Sequence, residues 1–162
     1  MINVRHAALF ALSGLIWFAV GLFLLTLGLN FLNESLVVGN HVSYPMIDWM
    51  LPYFGNRESA VLTLIAAALA IGYFKGRFVL GKSAKKGIER IYTFPNPTAL
   101  KNIYSAKYYI LLALMMGLGL LIKYLGVPTD IRGLVDVAIG AALINGSMFY
   151  FRACLKRSIY DN

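Results

Sequence analysis

Cysteine occurs once in the 162 residues, as Cys154, so no disulfide can close within the chain. No CxxC pair or Cys/His cluster is present, which removes disulfide exchange, iron–sulfur chemistry and structural zinc. Histidine occurs twice, and His6 and His41 flank the first apolar run. If that run crosses a membrane, they lie on opposite sides and cannot share a metal. There is no GxSxG elbow, HExxH pair, Walker lysine loop or glycine-rich nucleotide turn after a strand. The expectation is no metal, no cofactor and no enzyme activity.

Charge is also scarce. Only 14% of residues are charged, against roughly 25% in soluble domains. Hydrophobic residues make up 59% and mean hydropathy is +0.69, more apolar surface than a soluble fold of this size can bury. The solvent implied is a bilayer. Acids are the rarer sign, with seven Asp and Glu against fifteen Lys and Arg, a net charge of +8. On a soluble chain that would suggest nucleic acid. Here the basic residues flank apolar runs, the pattern of membrane orientation, and no nucleic-acid partner is expected.

What is present reads as an all-α membrane protein, a four-transmembrane-helix bundle in one domain, residues 1–162. Spans are predicted over approximately 7–32, 58–80, 104–124 and 131–152. The first is too long for a signal peptide, and NFLNES follows it. Between the first two, Pro45 suits a helical first turn and Pro52 is predicted to end a short interfacial helix, PMIDWML. Residues 76–107 form a basic interfacial loop, with Lys82, Lys85, Lys86 and Arg90 set among apolar residues to lie on anionic phospholipid headgroups. With four spans, twelve basic residues share the side of the termini and middle loop; three, Arg57, Lys123 and Arg132, take the other. That bias sets both termini inside, N-in/C-in, in a cell inner (plasma) membrane.

Small residues mark the packing faces. Ala7, Gly14, Gly21 and Gly28 recur every seventh residue, and Gly140 lies mid-way along the last span. Small residues on one stripe let helices approach closely. Seams on more than one side of the bundle predict a homo-oligomer or a larger membrane complex.

The last span, Thr129 to Arg152, carries the polar groups. At about 100° per residue, Asp136, Gly140, Ser147 and Tyr150 share a face, and Asn145 falls opposite. An intramembrane acid is a functional hypothesis by default. Asp136, Asn145, Ser147 and Tyr150, with Asn30 and Arg132, form the candidate pathway of a small transporter or channel for a cation or proton-coupled solute. Against this stands an Arg132–Asp136 i,i+4 ion pair near the headgroups. The alternative function is a structural or accessory subunit that docks partner helices. A weaker third reading is a lipid-handling enzyme using Asp130, Arg132 and Asp136.

Overall fold

The computed structural model describes residues 3–37, 44–95, 98–99, 117, 121 and 124–160. The predicted third span, over 104–124, lies almost entirely outside the described residues. Among the described residues, the regular structure is helical apart from a two-residue antiparallel pairing, β1 (Asn3–Val4) with β2 (Thr98–Ala99). Its helices are α1 (His6–Val37), α2 (Pro45–Phe54), α3 (Arg57–Lys75), α4 (Gly81–Tyr92) and α5 (Thr129–Tyr160). A single π turn, Gly76–Leu80, joins α3 to α4 without a break. Among the described residues, three helical stretches, His6–Val37, Arg57–Tyr92 and Thr129–Lys156, are long and apolar enough to cross a membrane.

Helix α5 is the centre. Against it α1 runs antiparallel, held by glycine on both sides. A Cβ placed on Gly28 would lie 2.7 Å from the Gly133 carbonyl oxygen, and one on Gly21 2.9 Å from that of Gly140. One on Gly14 would meet the Phe151 ring at 2.9 Å. The seven-residue spacing of Gly14, Gly21 and Gly28 is matched on α5 by Gly133, Gly140 and buried Ser147. A shared period of seven keeps two contact stripes in register when helices cross at about 20°.

Helix α3 packs on another side of α5 and runs parallel to it. A Cβ on Gly72 would meet the Ala138 carbonyl at 2.5 Å, one on Gly76 that of Ala142 at 2.7 Å, and one on Gly81 the Phe149 ring at 2.9 Å. The order of these pairs fixes the direction. The helix itself does not stop at residue 80, where the predicted span ends. The helix continues to Tyr92, because the π turn takes up one extra residue where a straight α-helix would lose phase. In that turn the Gly81 N–H donates to the Gly76 carbonyl, five residues back. Gly81, Ala84 and Ile91 then face inward, as Gly72 and Gly76 do. Over Gly81–Tyr92 the segment read as a loop is helical, and its apolar side packs on Leu9, Phe10 and Tyr150.

Two apolar clusters result. One joins Leu9, Phe10, Trp17, Ala84, Ile91, Leu143 and Tyr150 at the end that carries the N-terminus and α4. The other joins Leu32, Tyr44, Ile47, Val61, Leu64 and Val137 at the end that carries α2.

Helix α2 also outruns its prediction, continuing through Pro52 to Phe54. Pro52 lies late in the helix, so its missing N–H removes one bond without stopping the last turn. Gly55, at φ 73°, ends it by donating its N–H to the Leu51 carbonyl, a conformation that suits glycine. Helix α3 begins at Asn56, whose side-chain oxygen accepts from the Ser59 N–H at 2.8 Å.

Candidate functional site

The polar groups of α5 fall at three levels. At its first turn, Asp130 is fully buried. Its Oδ2 accepts from the N–H of Met46 at 2.8 Å and of Ile47 at 3.3 Å, the two donors that follow Pro45 in α2. Tyr44, at the cap position of α2, offers no side-chain cap. Asp130 supplies from another helix the acceptor that a Ser or Asp there would give. The return half is local, since the Tyr44 N–H donates to Asp48 Oδ2 at 3.2 Å. Asp48 also meets Arg57 Nη2 at 3.5 Å, which ties α2 to the start of α3. Arg57 lies over the Tyr44 ring, 5.1 Å from its centroid.

At the next level, the Arg132 Nε lies 3.9 Å from Asp136 Oδ2. The Arg132 guanidinium stacks over Phe31 of α1, 4.5 Å from the ring centroid. Asp136 is buried, and among the described residues its Oδ2 accepts no hydrogen bond. The carboxylate thus has a nearby countercharge without a directed donor. The Arg132 charge is divided between an acid and an aromatic face.

Farther along, the Asn145 amide donates to the Ala141 carbonyl of its own helix at 2.9 Å. Its Cβ lies against Gly76 at the start of the π turn. The Ser147 hydroxyl, fully buried, donates to the Ile144 carbonyl at 2.7 Å. Tyr150 is buried edge-on to Trp17, ring centroids 5.5 Å apart, and its hydroxyl end lies against Gly87 of α4.

The structure does not gather the six candidate pathway residues at one point. Arg132 and Asp136 are together. Asn145 faces the π turn that follows α3, while Tyr150 packs among α1, α4 and α5. Asp136 and Tyr150 are about 21 Å apart along the helix axis. Between them, the Gly21 and Gly140 backbones meet on the face they share with Ser147. Asn30 lies on the exposed side of α1, turned from the stripe of Gly28 and Leu32. The three lysines and one arginine singled out on α4, Lys82, Lys85, Lys86 and Arg90, are all exposed.

Two participants escaped the sequence reading. Asp130 was named there for a lipid-handling site and not as a cap for α2; the signal was a proline-started helix lacking a capping side chain. Nothing in the sequence around Phe31 links it to Arg132. Among the described residues no group of three or more His, Cys, Asp or Glu could hold a metal ion. No family model, curated protein or solved structure matches the chain.

Proposed function

We propose that this chain is a small structural subunit of a membrane, crossing it four times, whose role is to dock partner helices. The chain leaves α4 at one end of α5 and enters α5 at the other. A return crossing over 104–124 joins those ends. The end that holds the N-terminus, α4 and the last turns of α5 carries most of the basic residues, so it is assigned to the cytoplasmic side of an inner (plasma) membrane.

One observation carries the docking role. The polar groups of α5 are engaged within the fold: Asp130 by α2, Asp136 by Arg132, Asn145 and Ser147 by carbonyls of their own helix. Glycine backbones press together along the face where a pathway would run. Meanwhile Ala66 and Ala70, a small-xxx-small pair, lie exposed on α3, beside exposed Leu62 and Leu69. A stripe of that kind admits a further helix at close range, from a second copy or another subunit. Size in mild detergent tests the reading. Ala66→Leu with Ala70→Leu is expected to reduce the assembly to a smaller species; an unchanged assembly overturns it.

A specific observation favours a second reading, transport of a cation or proton-coupled solute. It is the buried Asp136 Oδ2, which accepts no hydrogen bond among the described residues. On that reading Asp136→Asn abolishes flux into reconstituted vesicles. On the structural reading the variant assembles as the parent does, and no Asp136-dependent flux is seen.

A further inference from the structure

A cleft of about 310 Å³ opens where the π turn passes α5, lined by Arg77, Phe78, Gly81, Lys82, Lys85, Phe149 and Arg152. We propose that this cleft is a binding site for a phosphate-bearing anion, with the headgroup of an anionic phospholipid as the first source to test. The site is independent of whether the chain docks partners or moves solute.

Four cations and no acid line it. Among the described residues none of the four makes an ion pair; Arg77 donates only to the Tyr73 hydroxyl, at 3.3 Å. Like charges held this close repel, and a bound anion relieves the repulsion. Arginine adds a planar fork that matches phosphate oxygens, and lysine adds a compact charge.

The π turn builds the cation row. In a straight α-helix a spacing of five, as from Arg77 to Lys82, leaves two side chains about 140° apart. Accommodating one extra residue in the turn closes most of that gap, so Arg77, Lys82 and Lys85 line one side. Gly81 makes the floor: having no Cβ, it lets the Phe149 ring approach, and Arg152 lies one turn beyond Phe149 on α5. Phe78 and Phe149 give the cleft apolar walls beneath the charges.

The depth suits a headgroup. From Arg132 to Arg152 is about 30 Å along α5, close to the thickness of a hydrocarbon core. With Arg132 at one boundary, Arg152 and the cleft lie at the other, where lipid phosphates are found. This differs from a generic basic surface, because Lys86 and Arg90 are equally exposed on α4 and do not line the cleft.

Charge-matched variants make the test. Arg77→Gln with Arg152→Gln removes two charges from the cleft, and Lys86→Gln with Arg90→Gln removes two beside it. All four side chains are exposed, so both proteins are expected to fold, which helical circular dichroism checks. Purified protein in zwitterionic detergent is titrated by calorimetry with dihexanoyl-phosphatidylglycerol, dihexanoyl-phosphatidylcholine and inorganic phosphate. The expected result is binding of the glycerol lipid over the choline lipid, weakened about tenfold or more by the cleft pair and under about threefold by the outer pair. Binding of inorganic phosphate with equal affinity and the same variant sensitivity supports the site and assigns it to a soluble phosphate. Equal losses in both variants, or no binding by any probe, overturns the proposal.

Discussion

Gly21 and Gly140 touch through their backbones. A Cβ on Gly21 would lie 2.9 Å from the Gly140 carbonyl oxygen, and one on Gly140 would lie 2.7 Å from that of Gly21. Neither residue can gain a side chain unless the α1–α5 pair separates. In lipid there is no hydrophobic drive to bring helices together, so close backbone contact is itself the source of association.

Gly21→Leu is therefore expected to cost the pair about 1–3 kcal/mol or more. Gly117→Ala is the control, since a Cβ there meets none of the described residues within 4 Å. Denaturant unfolding in mild detergent reads both. Equal midpoints for the two variants would remove the glycine seam as the basis of the fold.

Asp130 reaches across to α2, and that contact is open to test. Asp130→Ala leaves the N–H groups of Met46 and Ile47 without their acceptor, at an expected cost of about 1–3 kcal/mol. Asp130→Asn keeps an oxygen and costs less. Amide hydrogen exchange at Met46 and Ile47 should quicken in the alanine variant. Unchanged protection there would mean that Asp130 does not cap α2.

How much of this was legible beforehand depends on range. The heptad glycines of α1 announce a close neighbour, because their spacing is a local property of one helix. Which helix meets them is not local, and Gly133 and Gly140 become partners only when α1 and α5 run antiparallel. The Arg132–Asp136 pair could be read from an i,i+4 spacing, whereas Phe31, the other partner of Arg132, comes from a helix about a hundred residues earlier. The basic segment was read as a loop, and a helical phase carried straight on from α3 does not reveal its inward face. The π turn shifts that phase by one residue, so Gly81, Ala84 and Ile91 did not align with Gly72 and Gly76.

Arg132 and Asp136 are expected to respond unequally. Arg132→Ala leaves a buried carboxylate without its countercharge. Asp136→Asn leaves an arginine that is more exposed than the acid and still rests on Phe31. Truncating one partner of a buried pair is the costly change, about 3–5 kcal/mol in full burial and less here. Unfolding should show Arg132→Ala as the more destabilising variant. The reverse order would mean that the acid is stabilised by something other than Arg132.

Length changes in the π turn test the phase argument most directly. Val79 lies in that turn with its side chain exposed. Deleting it removes the one extra residue, so a regular α-helix can form with Gly81, Ala84 and Ile91 still turned inward. Inserting an alanine after Val79 rotates α4 by about 100° and swings Arg90 and Lys86 toward Leu9 and Phe10. The deletion should therefore be mild and the insertion severe, although a count of residues changed ranks them equal. The readout is thiol labelling of a cysteine placed at Ala84, in a Cys154→Ser background: protected in the parent and the deletion, labelled in the insertion. A labelled deletion would show that the π turn does more than absorb a residue, and that α4 needs its geometry to dock.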